Sequence, residues 1–204
     1  MDKYCFVKTS VANLYKNPSF KSELVTQAIY LEKLLILDQE NNWYQVKQWD
    51  GYESWVHCFY LSFDYNDSDK VDKDIILKFS KSNLINKAKE FLDVPYLWGG
   101  KSSLGFDCSG FVQTVFKAFN IDLPRDSSQQ IKYKDLIEIN YSELEVGDLL
   151  FFSENKNVNH VAICIGNEQI IHSSGCVKIE KLKENKELYQ KLYKTMSIRN
   201  IING

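Results

Sequence analysis

One polar stretch, Asp64-Tyr-Asn-Asp-Ser-Asp-Lys-Val-Asp-Lys-Asp74, separates two regimes of hydrophobic patterning, and that break constrains the fold more than any other feature. Before it, apolar residues come in short runs suited to strands: Tyr4–Val7, Leu24–Ala28, Leu34–Leu37, Trp43–Val46 and Ser54–Val56. Asn17-Pro18, Glu40-Asn41-Asn42 and Asp50-Gly51 punctuate them as turns. Five short strands in about 60 residues predict a small β-barrel, because closure removes the open edges such strands would expose. After the break, Leu84, Ile85, Ala88 and Leu92 recur at helical spacing as far as Pro95. A stronger stripe follows, Phe111, Val112, Val115, Phe116 and Phe119, with Asp107 or Ser109 in cap positions. Strand-like runs at Asp148–Phe152, Val161–Ile165 and Gln169–His172 precede a mixed-charge Lys/Glu tail, which reads as a solvated face. Helices first and an antiparallel sheet afterwards predict α+β.

The expected organisation is a β-barrel over residues 1–64, a linker over 65–80 and an α+β domain over 81–204. The aspartate spacing of the polar stretch invites a calcium-loop reading. Counted from Asp64, however, the sixth and twelfth places hold Asp69 and Ile75 instead of glycine and glutamate, so calcium is rejected.

Charge removes one class of partner. With 25 Lys+Arg against 27 Asp+Glu the formal charge is −2, which does not favour nucleic acid. No apolar run approaches the ~18 residues of a membrane span. The opening Met1-Asp2-Lys3-Tyr4 carries no secretory pattern, so the expectation is a cytoplasmic protein without a membrane partner. Five scattered cysteines, Cys5, Cys58, Cys108, Cys164 and Cys176, form no C-x-x-C pair and predict reduced thiols over a disulfide framework. No two Cys or His lie at the short spacings of a structural zinc site, so neither metal nor cofactor is expected.

Cys108 stands apart from the other thiols. It sits where the turn Gly99-Gly100…Gly105 feeds the amphipathic helix. A thiol in a first helical turn faces unpaired N–H groups and the positive end of the macrodipole, both of which favour thiolate. The other four cysteines read as small buried hydrophobes.

A thiol nucleophile needs a base that later protonates the leaving group. His160 opens the run His160-Val-Ala-Ile-Cys-Ile165, and His172 closes Gln169-Ile-Ile-His172. Singly, each reads as a hydrogen-bonded structural histidine; together, on adjoining strands after a helix-borne cysteine, they suit base and orienter. Hairpin arithmetic tests the pairing. Opposed residue numbers add to a constant in an antiparallel ladder, and only an even total puts both histidines on one face. A two-residue Gly166-Asn167 turn gives an odd total, so an odd-length loop or a bulge is predicted. The third histidine, His57, beside Trp55 in the barrel segment, reads as structural.

At this point the motifs resemble a known family. Pro95-Tyr-Leu-Trp-Gly-Gly100, Phe106-Asp-Cys-Ser-Gly-Phe111, Leu123-Pro-Arg-Asp126, Gly147-Asp-Leu-Leu-Phe-Phe152, Asn159-His-Val-Ala162 and Ile171-His-Ser-Ser-Gly175 are similar, in order, to the series of NlpC-type papain-like cysteine peptidases. Ala12-Asn-Leu-Tyr-Lys-Asn-Pro18, Val25-Thr-Gln-Ala28 and Asp50-Gly-Tyr-Glu-Ser-Trp55 resemble the N-terminal bacterial SH3-like domain of γ-D-glutamyl-L-diamino acid endopeptidases.

The resemblance implies a papain-like catalytic domain behind a small SH3-like barrel, with a triad of Cys108, His160 and His172. It places Tyr96 near the nucleophile, where with the Cys108 backbone N–H it would meet the developing oxyanion. It implies cleavage between γ-D-Glu and the diamino acid of a murein-derived peptide with a free N-terminal L-Ala, whose amine side the SH3-like domain walls off. A buried ammonium must be met by anionic and acceptor groups. Asp107 is the expected partner, with Ser109, Ser127 and Tyr52 as further contacts. Two of these have plainer alternatives: Asp107 as a helix cap and Tyr52 as a barrel-core aromatic. Arg125 and Asp126 are expected to brace their loop by charge pairing, and Asp148 to fix a turn.

The leading reading is therefore a monomeric cysteine endopeptidase acting in cell-wall recycling or degradation. Two alternatives differ in kind: a catalytically idle wall-peptide-binding module, and a papain-like amidase or acyltransferase.

Overall fold

The computed structural model describes residues 3–64 and 76–203. The rejected calcium loop and most of the expected linker lie outside the described residues.

Strands β1 (Tyr4–Val7), β2 (Val11–Tyr15), β3 (Leu24–Ile29), β4 (Lys33–Glu40), β5 (Trp43–Lys47), β6 (Glu53–His57) and β7 (Leu61–Ser62) make one sheet in the order β3-β2-β6-β5-β4-β1-β7. Residues from its two edges and its middle, Ala28, Leu61, Val7, Leu34 and Val56, share one buried cluster, so the sheet curls onto itself as the barrel. The short-run reading missed β2 as a strand. Its alternating half-buried and buried residues span only Val11–Tyr15, between two turns.

The second half begins with α1 (Lys81–Lys89), where the Ser80 side chain accepts the Asn83 N–H as cap. Helix α1 ends before Leu92, and Asp93 takes a left-handed φ of 65°. A two-stranded ribbon, β8 (Lys101–Ser102) and β9 (Gly105–Phe106), leads into α2 (Cys108–Lys117). Short α3 (Ser127–Gln130) follows. A six-stranded antiparallel sheet then forms from β10 (Ile137–Ile139), β11 (Leu149–Glu154), β12 (Asn157–Gly166), β13 (Gln169–Ser174), β14 (Cys176–Lys181) and β15 (Leu192–Ser197). Its order is β10-β15-β11-β12-β13-β14. Helices α4 (Lys186–Gln190) and α5 (Arg199–Asn203) precede and follow β15.

Both faces of this sheet are covered. Leu149, Phe151, Val161, Ile163 and Ile171 pack with Phe111, Val115 and Phe116 of α2. The alternate residues Leu150, Phe152, Ala162, Cys164 and Ile170 form a second layer beneath Leu188 and Leu192. Burial on both sides explains why β11 and β12 read as nearly continuous apolar runs. The architecture is α+β behind a barrel, as expected. The charged tail is not simply a solvated face, because it holds β14 and β15.

The barrel seats on the second half through polar contacts. Gln27 Oε1 accepts from the Lys101 N–H at 3.0 Å and Ser102 Oγ at 2.8 Å, and Gln113 Nε2 donates to Asp50 Oδ2 at 2.8 Å. At Gly99 (φ +75°) a Cβ would stand 2.6 Å from the Leu24 carbonyl oxygen, so only glycine permits this approach.

Candidate active site

Asp107 caps α2, its Oδ1 accepting the Gly110 N–H at 2.6 Å, and this makes Cys108 the first helical residue. The β12–β13 ladder runs only from Gly166/Gln169 to Ile163/Ile171. Beyond its end the Cys108 sulfur lies alongside β12, 3.9 Å from the Asn159 carbonyl oxygen and within reach of the Val161 N–H. Those two backbone groups flank His160, so the Cys108 sulfur stands against β12 at that residue.

The thiol itself departs from expectation. Burial pushes it up to about 11, the Asp107 carboxylate adds to that, and the Val161 and Ser109 N–H groups oppose it only in part. Cys108 is 7% exposed, and among the described residues its sulfur makes no hydrogen bond to the His160 ring. A resting thiolate is therefore corrected to a resting thiol. The helix terminus does favour the anion, but desolvation outweighs it. Tyr96 lies close enough to be influenced by Cys108, and burial first, then Cys108, moves its hydroxyl to about 12, so it remains a donor.

The histidines lie on one face, brought there by a bulge. Asn167 and Glu168 form a two-residue turn, both at positive φ, and Gly166 at +85° absorbs the register shift between Cys164 and Gly166. The total is thereby restored to an even number. His160 Nε2 and His172 Nδ1 are 2.7 Å apart. Burial lowers both imidazoles, His160 to about 3 and His172 to about 4, so the resting pair is neutral. His172 Nε2 lies 3.0 Å from Glu180 Oε1, off the N–H axis and short of a well-formed hydrogen bond. A cleft of about 290 Å³ opens beside the pair, lined by Phe152, Asn159, Ser174, Asn185, Leu188 and Lys191 among others.

On the other side of the sulfur lies the seam with the barrel. Asp107 is bound on both oxygens. Arg125 donates from Nη1 to Oδ1 at 3.0 Å and from Nη2 to Oδ2 at 2.5 Å, while Gly99 N–H and Ser109 Oγ add to the set. Arg125 is 1% exposed and also donates to Ser109 Oγ and to Thr26 Oγ1 of the barrel. Asp107 is thus both a helix cap and an ion-pair anchor. Ser109 and the buried Ser127 lie nearby, Ser109 held in that same network. Arg125 makes its close ion pair with Asp107, and Asp126 stands within its field without a close contact among the described residues.

Asp126 instead meets Tyr52. Burial raises its carboxyl, and the neighbouring Arg125 and a Tyr52 hydrogen bond lower it. Tyr52 is only partly buried and outside the barrel core, so its core alternative falls. Burial pushes Tyr52 to about 12; Asp126 and Glu23 add to the rise and Arg125 opposes it. Glu23 also accepts from Trp98 Nε1 at 3.0 Å. Two acidic residues near Tyr52 were not singled out for this side of the site by sequence reasoning: Asp126, read as a brace, and Glu23. No local signal marks either one, since their neighbourhood forms only when the barrel docks.

The remaining expectations are structural. His57 Nδ1 accepts the Phe59 N–H at 3.3 Å. Asp148 Oδ2 accepts the Glu145 N–H at 2.8 Å and its Oδ1 the Ser197 hydroxyl at 2.8 Å, fixing the turn. Among the described residues no group of three metal-ligating side chains converges, and no helix is long and apolar enough to cross a membrane.

Comparison with known proteins agrees with this geometry. A bacterial SH3 domain model matches residues 10–62 and an NlpC/P60 family model residues 93–197. A γ-D-glutamyl-L-lysine dipeptidyl-peptidase of Bacillus cereus is 35% identical over 84% of this chain and 50% of its own length. The Bacillus subtilis protein of the same name is 38% identical over 56% of this chain and 39% of its own. The chain therefore spans half or less of the length of these curated relatives. A crystal structure of an NlpC/P60 family protein from Bacillus cereus superposes with a TM-score of 0.55 at 30% identity, covering 95% of this chain and 62% of that one. The NlpC/p60 domain of the peptidoglycan hydrolase SagA superposes at 0.51 and 28% identity, covering 58% of this chain and 99% of that one. With more than half its residues matched by the family model and a helix-borne cysteine set against paired histidines, the chain belongs to the NlpC/P60 family.

Proposed function

We propose that the chain is a cysteine endopeptidase that hydrolyses the γ-D-glutamyl–diamino acid bond of peptidoglycan stem peptides bearing a free N-terminal L-Ala. The carrying observation is the meeting of Cys108, at the first position of α2, with β12 at His160, whose ring is tied to His172 at 2.7 Å.

The resting groups are neutral, so proton transfer accompanies attack. His160 Nδ1 takes the thiol proton as the sulfur adds to the γ-glutamyl carbonyl. The oxyanion forms beside the Cys108 N–H, which as the first helical N–H has no intrahelical acceptor, and the Tyr96 hydroxyl. His160 then gives its proton to the departing diamino-acid nitrogen, leaving a thioester that water hydrolyses with His160 again as base. The cleft beside the histidines lies where the leaving portion departs.

At the seam, Asp126 and Tyr52 with Glu23 form the acceptor set for the L-Ala ammonium. Ser109 and Ser127 lie beside it, and Asp107 supports it through Arg125. A free amine marks fragments already detached from the glycan, which fits recycling of soluble murein peptides. All these groups belong to one chain, so a monomer suffices. Five free thiols suit a reducing, cytoplasmic setting.

The test is incubation with L-Ala-γ-D-Glu-L-Lys and its N-acetylated form, following released L-Ala-γ-D-Glu. Cleavage of the free-amine peptide alone supports the reading. Equal cleavage of both removes the amine gate, and cleavage of neither removes the activity.

A further inference from the structure

The 2.7 Å bond between His160 Nε2 and His172 Nδ1 can run in two directions, and only one suits a base. If His172 Nδ1 carries the proton, His160 Nε2 must accept it. His160 Nδ1 then holds the ring's own hydrogen and has no lone pair for a thiol. If His160 Nε2 carries the proton, Nδ1 is unprotonated and basic. Something must choose between them.

Glu180 stands where that choice is made. In the β13–β14 ladder, Ile170 faces Glu180 and His172 faces Lys178, so Glu180 and His172 share a face one diagonal step apart. His160, His172 and Glu180 therefore descend across three adjacent strands. Glu180 Oε1 is 3.0 Å from His172 Nε2. The carboxylate is itself held: Asn185 Nδ2 donates to Oε1 at 2.9 Å, and Lys178 Nζ lies 3.2 Å from Oε2. Asn185 is anchored in turn, because its Oδ1 caps α4 by accepting the Leu188 N–H at 3.1 Å.

We propose that Glu180 is a positioning residue that draws the His172 proton to Nε2, which leaves His172 Nδ1 to accept from His160 Nε2–H and His160 Nδ1 free for Cys108. The assignment rests on the proposed Cys108–His160 chemistry. A carboxylate accepts and cannot donate, so with Glu180 at Nε2 the favoured tautomer of His172 carries its proton there. One anion thereby orders two rings, and it also stabilises the positive charge that His160 carries between attack and departure.

The test reads tautomers directly and does not depend on turnover. In the full chain labelled with 15N-histidine, long-range 1H–15N correlation at neutral pH separates Nδ1–H from Nε2–H rings. His57, whose Nδ1 accepts the Phe59 N–H in the distant barrel, is the internal reference. His160 and His172 are both expected as Nε2–H. Glu180→Ala should convert His172 to a mixture or to Nδ1–H, leave His57 unchanged, and lower kcat roughly tenfold to a hundredfold with KM little altered. Glu180→Gln keeps an acceptor oxygen and should restore the tautomer and part of kcat. A His172 Nδ1–H ring in the unmodified protein overturns the proposal even if the alanine variant does not fold. Wild-type tautomers or wild-type kcat in a folded Glu180→Ala protein overturn it as well. Correct tautomers without γ-glutamyl cleavage would instead count against the proposed reaction alone.

Discussion

Two polar clusters flank the Cys108 sulfur, and they are built by opposite rules. On the barrel side, Asp107 receives Gly99, Ser109, Gly110 and both terminal nitrogens of Arg125, and Arg125 itself is almost wholly buried. On the sheet side, His160 bonds through Nε2 alone, and among the described residues its Nδ1 makes no hydrogen bond. A saturated buried ion pair holds backbone in place, because separating it leaves a charge without solvent. An unsaturated ring in a desolvated cleft can take and return a proton. Under the proposed chemistry, the difference fits Asp107 for support and the histidines for proton transfer.

The comparison can be broken most sharply at the sulfur. Cys108→Ser should abolish peptide cleavage, by roughly 10⁴-fold or more, with an unchanged circular dichroism melt. A variant that unfolds would show the thiol to be merely core. On the saturated side, Arg125→Met should cost about 3–5 kcal/mol of stability in urea denaturation, since Asp107 is left buried without its partner. A loss below the measurement error would mean the pair is dispensable. On the unsaturated side, His172→Ala should lower kcat by roughly tenfold to a hundredfold, less than His160→Ala, because orientation matters less than proton transfer. Equal losses would put His172 in the proton path. Gln27→Ala should cost about 1–3 kcal/mol by stranding the buried Lys101 N–H and Ser102 hydroxyl at the seam. It should also raise KM for free-amine peptides more than it lowers kcat.

The same contrast also sets a pH dependence of stability. The unfolded chain protonates His160 and His172 near their ordinary value of 6.5, whereas in the folded protein burial delays this to about 3 and about 4. Through that window the unfolded state binds more protons, so stability is fullest above 6.5 and falls as acid is added. The urea midpoint of a His160→Gln/His172→Gln protein should vary less with pH between neutrality and 4.

Much of the fold was legible because its signals are local. The Phe111–Phe119 stripe, the cap at Asp107 and the turn at Asp50-Gly51 are matters of neighbouring residues. The strands that escaped notice did so for a physical reason. Strand β14 is a sheet edge, and its Lys178, Glu180 and Lys181 are the charges by which edges avoid pairing with other chains. Read in one dimension, that pattern is indistinguishable from a solvated tail. Glu180 was hidden with it. Tyr52 read equally well as a barrel aromatic, because nothing beside it in the chain shows that Asp126 lies across the seam.

By itself the amino-acid sequence determined that Cys108 would lie at the start of a helix and that His160 and His172 would share a face if an odd-length loop or a bulge intervened. Caps, stripes and hairpin parity depend only on chain geometry over short spans. Only the tertiary structure decided which carboxylates stand at the histidines and at the seam, and that Cys108 rests as a thiol. Proton affinity is set by how much water remains and which charges converge from distant parts of the chain, and neither quantity exists until the strands and the barrel have closed around the site.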